Sequence, residues 1–294
     1  MPKSSHFLLT VDVGNSRIKC GLFDHVVRDT GILNRNVDST ELPRCLYSAT
    51  VPIDGDIPWE AIRHWLEDDR ENLVAGIIAG VNPAGVARVL ENWPGDGCLS
   101  PLVVDEPQQL PLQVNLPAAG EVGIDRLLNA VAANTVRPPG RPAIIVDTGT
   151  ATTVDYLSAA GAFEGGAILP GFELSARALH QHTALLPLFD VEALSDGSTP
   201  HPLGRNTYEA LRSGLFWGQL GAVKELIDRM STSCDSHSDN FALQLSETKP
   251  EIKPQFVLLT GGGSTLLKPH LPDARWELEL GLQGLALAAA ELNQ

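Results

Sequence analysis

Residues 143–157 read AIIVDTGTATTVDYL, and residues 7–23 read FLLTVDVGNSRIKCGLF. Each stretch is an apolar run that ends near an aspartate, turns through a glycine and returns as a second strand-like run, which is typical of a β-hairpin. Glycine and asparagine favour such turns because they tolerate positive φ. The two aspartates, Asp12 and Asp147, stand 135 residues apart. We interpret the repeat as an internal duplication that gives two similar lobes, because solenoid repeats are far shorter.

Working outward, the hydrophobic pattern predicts further elements of an α/β protein. Apolar runs predict strands at Leu73–Ala79, Pro101–Asp105 and Phe256–Leu259. Helices are expected over Ala84–Trp93, Asp125–Val136, Ser175–Leu186, Asn206–Met230 and Gly281–Leu292. Prolines and glycines between positions 106 and 120 indicate a lobe boundary. We therefore expect lobes at 1–116 and 117–294, and leave open whether the C-terminal helix packs back on the first lobe.

Composition excludes several classes of protein. The 294 residues include 43% hydrophobic side chains, enough for substantial cores, and carry a formal net charge of −15. That charge disfavours nucleic acid as the main partner, because phosphate backbones require neutralisation by Lys and Arg. No signal-peptide pattern and no apolar run of about 20 residues is found, so no membrane span is expected. The four cysteines are far apart, which fits free thiols in a reducing cytoplasm: Cys20, Cys45, Cys98 and Cys234.

The first hairpin turn is a candidate phosphate-binding segment. Gly14 permits close approach of backbone N–H donors to a phosphate, and Lys19 adds a positive charge. Asp12, at the strand end, is suited to hold a magnesium ion directly or through water. A plain hairpin turn is the structural alternative. The candidate residues are Asp12, Val13, Gly14, Asn15, Ser16, Arg17, Ile18 and Lys19.

The second turn, Asp147–Thr153, repeats the pattern of aspartate, glycine and hydroxyl side chains. Its hydroxyls can donate to the β- and γ-phosphate oxygens of a nucleotide, although a threonine-rich hairpin is also an ordinary strand pair. The two copies together indicate a cleft that grips a polyphosphate from both lobes. No Walker A pattern occurs in the sequence.

Gly123, Ile124, Asp125 and Arg126 stand at the start of a predicted helix. An aspartate in the first turn is often only a cap favoured by the helix dipole. In the functional interpretation, Asp125 accepts a proton from a substrate hydroxyl. Arg126 then holds an anionic group, because its planar fork of donors suits carboxylates.

Three weaker signals complete the set. The glycines in Gly165–Gly171 permit a sharp turn or close backbone approach. The segment Thr260–Ser264 would let a flat ligand such as adenine lie on the backbone, or is a strand-to-helix turn. Thr183, at the end of a predicted helix, either hydrogen-bonds a substrate or only packs.

Taken together and in order, these motifs resemble type III pantothenate kinase. The resemblance extends over nearly the whole chain and is carried by Asp12–Ser16, Gly123–Arg126, Asp147–Thr153, Gly165–Gly171, Gly204–Thr207 and Thr260–Gly263. It implies a two-lobed actin-like, ribonuclease-H-like fold with duplicated lobes, and a homodimer. It also implies ATP-dependent phosphorylation of the primary hydroxyl of pantothenate, the first step of coenzyme A biosynthesis.

The resemblance also implies residue roles. By similarity, Asp12–Lys19 and Thr150 bind the ATP phosphates, Asp125 is the proton acceptor, and Gly123–Arg126 with Thr183 hold pantothenate. Asp147 binds a monovalent cation, potassium or ammonium, alongside magnesium on the nucleotide.

The sequence departs from the family pattern at several points. Ser16 stands where a threonine is usual, which keeps the hydroxyl. No tyrosine occurs in Leu112–Val122, so Asn115 or Leu116 would line the substrate site instead. The polar tract Ser231–Lys253 is long for its position.

Two alternative functions stay open on the sequence alone. One is another reaction on the same fold, such as that of a sugar kinase or a polyphosphate phosphatase, because fold does not fix function. The other is a non-enzymatic accessory regulator of transcription, which the acidic balance disfavours.

Overall fold

The structure is a computed structural model that describes residues 6–25, 41–65, 73–94, 100–233 and 256–292. The chain forms two compact units. The first comprises Met1–Arg137, Gly161–Phe163 and Glu279–Gln294, and the second comprises Pro138–Ala160 and Glu164–Leu278. The boundary expected at residue 117 therefore lies within the first unit, and the C-terminal segment belongs to that unit.

The described residues contain ten strands and seven α-helices. The strands are β1 His6–Val13, β2 Arg17–His25, β3 Cys45–Pro52, β4 Leu73–Gly80, β5 Leu102–Val104, β6 Ala143–Thr148, β7 Ala151–Leu157, β8 Phe163–Pro170, β9 Phe256–Thr260 and β10 Arg275–Trp276. The helices are α1 Trp59–Trp65, α2 Pro83–Glu91, α3 Ile124–Val136, α4 Phe172–Gln181, α5 Thr207–Ser233, α6 Ser264–Leu267 and α7 Leu280–Leu292.

The two units contain sheets of the same strand order. The first sheet runs β3-β2-β1-β4-β5, and the second, read from its opposite edge, runs β8-β7-β6-β9-β10. In both, the first hairpin is antiparallel and its leading strand pairs in parallel with a later strand, β1 with β4 and β6 with β9. The duplication predicted from the two aspartate turns is therefore confirmed at the level of whole sheets.

The first sheet buries its two faces differently. Every second residue of β1 and β2 packs in an apolar core with helices α1 and α2. Leu9, Val11 and Ile18 are examples. Successive side chains of a strand point to opposite faces, so Thr10 and Asp12 lie on the other face, which α7 covers. On that face, Leu282 lies close to the position that a Cβ would take at Gly21.

Helices α3 and α7 pack unusually closely within the first unit. A Cβ at Gly284 would lie only 2.0 Å from the backbone oxygen of Leu128, so a glycine is required at this crossing. Residues along α7, including Leu285 and Ala288, are almost fully buried. This packing secures the last helix of the chain to strands from its beginning.

The second unit has its own apolar core. Ile144, Val146 and Val154 of the hairpin pack with Phe216 and Leu220 of α5. Asp147 lies on the opposite face of β6 from this core, because strand side chains alternate. Among the described residues, no helix has both the length and the apolarity that a membrane crossing needs.

The structure corrects several expectations. Of the two alternatives for Gly165–Gly171, the sharp turn is wrong, because residues through Pro170 belong to β8. The close backbone approach is confirmed, since a Cβ at Gly166 would lie 2.3 Å from the Val154 oxygen. Helix α4 ends at Gln181, so Thr183 lies beyond the helix instead of within it. Strand β3 and helix α1 have no counterpart in the sequence prediction. Cys98, Cys234 and residues 234–253 of the polar tract lie outside the described residues.

Candidate active site

The first candidate turn is a short hairpin loop between β1 and β2. The Gly14 N–H donates to the Arg17 carbonyl over 2.9 Å, and the Ile53 N–H donates to the Ser16 carbonyl over 2.9 Å. Asn15 and Ser16 are exposed, so both lie at the surface of the first unit. One backbone bond within the turn and one from the residue after β3 therefore hold this loop in place.

Two of the predicted phosphate-binding residues can contribute only backbone atoms. The side chains of Val13 and Ile18 are fully buried in the core of the first unit. Lys19 is the cross-strand partner of Asp12, and directly opposed side chains lie on the same face of a sheet. The Asp12 and Lys19 side chains therefore project from the same face at the end of this hairpin.

The first turn is tied to the neighbouring parallel strand. The Val81 N–H donates to the Val13 carbonyl over 3.0 Å. A Cβ at Gly80 would lie 2.6 Å from the same carbonyl oxygen, so the end of β4 approaches β1 more closely than a side chain allows. Val81 in turn lies 3.4 Å from the position of a Cβ at Gly123. The turn and the start of α3 therefore meet at the carboxyl edge of one sheet.

Asp125 and Arg126 occupy the first turn of α3. The Asp125 Oδ1 atom accepts a hydrogen bond from the Arg126 N–H over 2.8 Å. It also lies 2.6 Å from the position of a Cβ at Gly123, so a larger residue there would collide with the carboxylate. Both side chains are half-buried. The first turn of a helix carries partial positive charge from unpaired N–H groups, which favours anions.

A second helix start adjoins Asp12. A Cβ at Gly281, in the first turn of α7, would lie 3.4 Å from Asn129 Oδ1 and 3.8 Å from Asp12 Oδ2. Burial, and to a smaller extent the Asp12 carboxylate, raises the pKa of the Cys20 thiol to about 12. Asp12 and Asp125 thus stand at the same edge of the first sheet, each beside the first turn of a helix.

The turn of the second unit has the same design with one residue fewer. The Gly149 N–H donates to the Ala151 carbonyl over 2.9 Å. Gly149 and Thr150 are exposed, and Asp147 is half-buried. The Thr150 hydroxyl therefore stands at the tip of its turn, as Asn15 and Ser16 do in the first unit.

Three glycines pack tightly against this second turn. A Cβ at Gly171 would lie 2.4 Å from the Gly149 oxygen, and one at Gly261 would lie 2.3 Å from Asp147 Oδ1. Gly261 also has a φ of +87°, a region that side chains rarely occupy. The Gly263 N–H donates to the Thr148 carbonyl over 2.8 Å. The segment Thr260–Ser264, which begins at the last residue of β9, therefore supports the turn directly and continues into helix α6.

Thr153 contributes a further polar atom to this face. It is the cross-strand partner of Asp147, and its hydroxyl is buried without a hydrogen-bond partner among the described residues. A buried polar group normally finds a partner. The Thr153 hydroxyl is therefore a candidate ligand group on the same face as the Asp147 carboxylate.

The structure does not bring Thr183 to the second turn within its unit. Helix α4 starts next to Gly171 and has ten residues, so its far end lies about 15 Å along the axis. The Thr183 hydroxyl is exposed and donates to the Leu179 carbonyl over 2.6 Å. A role for Thr183 in substrate binding stays a prediction.

The amino-acid sequence is similar to those of known proteins. Residues 8–229 match the family model described as type III pantothenate kinase. A protein of that name from Thermomicrobium roseum is 31% identical, over 98% of each chain. The one from Caulobacter vibrioides is 39% identical, and there the alignment spans 64% of each chain.

The chain belongs to the type III pantothenate kinase family. The resemblance inferred from the ordered motifs is therefore confirmed, and with it the assignment of the chain to a class of kinases.

Solved structures support the fold. A conserved protein from Campylobacter jejuni, described as of the Baf family, superposes with a TM-score of 0.53 at 18% identity, over 96% of this chain and 98% of that one. The activator of 2-hydroxyisocaproyl-CoA dehydratase from Clostridium difficile, with bound ADPNP, gives 0.50 at 12% identity, over 97% and 94%. At these identities the likeness concerns the fold alone, and it agrees with the predicted two-lobed actin-like class.

Sequence reasoning missed several residues that shape the candidate site of this pantothenate kinase family member. Asn129 stands four positions after Asp125, so helical spacing would have placed it on the same face of α3. Gly281 lies near Asp12 and Asn129, and the Phe163 ring lies 5.5 Å from the Arg126 guanidinium carbon. Neither gives such a signal, because both contacts join residues far apart in the sequence. The support that Gly261 gives to Asp147 was also not expected.

Proposed function

We propose that this protein transfers the γ-phosphoryl group of ATP to the primary hydroxyl of pantothenate, the first step of coenzyme A biosynthesis. The observation that carries the proposal is the shared sheet edge of the turn Gly14–Arg17 and the pair Asp125–Arg126, in a chain of this family. A phosphate-binding turn beside a carboxylate and a guanidinium suits a phosphoryl acceptor that carries both a hydroxyl and a carboxylate.

In this proposal the two turns bind the phosphates of the nucleotide. We assign phosphate binding to the backbone of the first turn, the side chains of Asn15 and Ser16, and Lys19. We assign the same role to the Thr150 hydroxyl of the second turn. A relative in fold has ADPNP bound, which is consistent with a nucleotide as the phosphoryl donor. Such transfer depends mainly on positioning and charge neutralisation.

Asp125 and Arg126 act on the acceptor. Asp125 accepts or orients the proton of the attacking hydroxyl, while its Oδ1 atom is held by the Arg126 N–H. Arg126 pairs with the carboxylate of pantothenate through its planar set of donors. The backbone of Gly123 and Ile124 lies at the helix start, where unpaired N–H groups favour an anion.

Asp12 suits the binding of a magnesium ion that is shared with the nucleotide. No group of three or more His, Cys, Asp or Glu side chains within the described part of the chain could hold a metal ion, and magnesium usually binds through one or two carboxylates together with substrate phosphates. Asp12 is the carboxylate we propose for it. When bound, magnesium neutralises charge on the phosphate oxygens.

A monovalent cation, potassium or ammonium, is proposed at Asp147. The supporting observations are the half-buried carboxylate, the unpaired Thr153 hydroxyl on the same face, and the absence of any side chain at Gly261, where a Cβ would touch Asp147 Oδ1. Oxygen atoms are the ligands that such ions prefer. Bound there, the cation would supply positive charge near the second turn.

We also propose that the protein is a homodimer. Seven of the eleven exposed large hydrophobic side chains among the described residues fall between positions 168 and 208, which concentrates them on the second unit. Exposed apolar side chains concentrated on one part of a protein often belong to an interaction surface, and twofold homodimers are the commonest assemblies. We propose that these seven side chains form one apolar patch: Ile168, Leu174, Leu179, Leu185, Leu188, Leu203 and Tyr208.

A cytoplasmic location is part of the proposal. Burial raises the pKa of the Cys45 thiol to about 11 and that of Cys20 to about 12. Both stay protonated and weakly reactive at neutral pH, since the thiolate is the reactive form. Free thiols are compatible with a reducing compartment.

The deciding experiment incubates purified protein with ATP and pantothenate, with and without potassium, and identifies the product by mass spectrometry. We expect phosphopantothenate, formed faster with potassium. A parallel panel of sugars tests the alternative that this is another kinase of the same fold. Turnover of a sugar without turnover of pantothenate would overturn the proposal.

A further inference from the structure

Phe163, at the start of β8, lies under the proposed substrate arginine. The Arg126 guanidinium carbon stands 5.5 Å from the centroid of the Phe163 ring, within the range of a cation–π interaction. The Phe163 side chain is fully buried. Arg126 is half-buried, so its charge is partly shielded from water, which strengthens attraction to an aromatic face.

The backbone of Phe163 is fixed to the segment that precedes α3. The Phe163 N–H donates to the Gln113 carbonyl over 2.8 Å, and its carbonyl accepts from the Asn115 N–H over 2.9 Å. These bonds form an isolated parallel bridge between Val114 and Phe163. The residue therefore links Arg126 to the stretch that contains Asn115, where the family tyrosine is missing.

The other end of this short segment is anchored to the same helix. The Gly161 carbonyl accepts from Asn134 Nδ2 over 2.7 Å. Gly161 has a φ of +89°, and a Cβ there would lie 2.4 Å from Arg137 Nη2. Residues Gly161–Phe163 are thus held against α3 at its last turns and at Arg126, and they belong to the first unit although their neighbours on both sides do not.

We propose that Phe163 is a positioning residue for pantothenate binding. Its ring holds the Arg126 guanidinium in the orientation that meets the substrate carboxylate, while its backbone fixes the Asn115 segment beside it. The inference rests on the proposed function, because it needs an anionic acceptor at Arg126. Phe163 itself does not contact the reacting atoms.

The test replaces Phe163 with methionine, which keeps an apolar side chain of similar size and removes the aromatic face. We expect the pantothenate KM to rise about 3- to 30-fold, the range that corresponds to a cation–π contact. The kcat and the ATP KM should stay close to those of the unaltered enzyme. Phe163→Tyr keeps the ring and should restore most of the affinity.

Pantothenol, in which a hydroxymethyl group replaces the carboxylate, separates positioning from packing. The Phe163→Met variant should bind this neutral analogue as the unaltered enzyme does, because no carboxylate then meets Arg126. An equal loss for both acceptors, or no rise in the pantothenate KM, would overturn the inference. Since the comparison is made within one protein, Phe163→Leu can replace the methionine variant if that variant does not fold.

Two controls complete the design. Phe23→Met removes another buried phenylalanine of the first unit and should leave the pantothenate KM unchanged. In Arg126→Ala, adding Phe163→Met should raise KM no further, because residues that act through one contact are not additive. If the unaltered enzyme phosphorylates pantothenate but these patterns are missing, only the role of Phe163 fails. If the unaltered enzyme does not phosphorylate pantothenate, the proposed function fails, and the inference fails with it.

Discussion

At the scale of single residues, Asp125 carries the proposed chemistry, and its removal gives the first prediction. Asp125→Asn keeps the shape and the Oδ1 acceptor for the Arg126 N–H but cannot take up a proton. We expect kcat to fall about 10²- to 10⁴-fold, the usual contribution of a general base, with little change in the ATP KM. Steady-state kinetics measure both constants.

A matched control is available on the same hairpin. Asp24 is exposed and pairs with Phe7 at the far end of β1 and β2. Asp24→Asn should therefore leave the rate unchanged. A kcat close to that of the unaltered enzyme in Asp125→Asn would remove this carboxylate from the mechanism.

Gly261 gives a second prediction at this scale. Gly261 and Gly197 both have positive φ, +87° and +82°, but only Gly261 has neighbours at its Cβ position. Gly197→Ala should cost about 1 kcal/mol from backbone strain alone. Gly261→Ala should cost about 1–3 kcal/mol more, because the methyl group displaces Asp147.

The measurements are urea unfolding of both variants and the ATP dependence of turnover. Gly261→Ala should also weaken ATP turnover, since Asp147 and Thr148 shift with it. Equal stability losses in the two variants would show that the Asp147 contact imposes no constraint.

At the scale of elements, the sequence was informative where local pattern determines structure. The two hairpins, the parallel strand β9 and helices α2, α3, α5 and α7 lie close to their predicted positions, because apolar periodicity and glycine turns act over a few residues. Strand β3 escaped prediction, because four of its eight residues are exposed and its pairing with β2 is decided across the sheet. Contacts such as Phe163 with Arg126 depend on tertiary structure and leave no local signal.

The crossing of α3 and α7 gives the prediction at this scale. Helix propensity alone would make Gly284→Ala stabilising by about 1 kcal/mol. Because its Cβ would lie 2.0 Å from the Leu128 oxygen, we expect instead a loss of about 1–3 kcal/mol. Gly221→Ala in α5 meets no atom within 4 Å and should be neutral or stabilising by up to about 1 kcal/mol.

Calorimetric unfolding of the two variants tests this difference in sign. A more stable Gly284→Ala protein would mean that α3 and α7 do not pack as closely as described.

At the scale of the whole molecule, the exposed apolar patch predicts the assembly state. Light scattering should give twice the chain mass of 31.4 kDa. Leu185 is 91% exposed and Leu203 is 65% exposed, so the double change Leu185→Glu, Leu203→Glu should place charge in the interface and release monomers. Leu90→Glu, on the first unit at 38% exposure, is the matched control and should leave the mass unchanged. Unaltered mass in the double variant would exclude this patch as the dimer contact.

The close fit of α7 onto α3 and β1 has a consequence for biosynthesis. The first unit combines strands β1 and β2 with helix α7, Leu280–Leu292, so it cannot be completed until residues 280–292 have been synthesised. While the second unit is being synthesised, the N-terminal part of the first unit lacks α7. The apolar surface that α7 covers is then exposed. Truncation before Glu279 would leave that surface exposed, and chaperone dependence should be greatest for such incomplete chains.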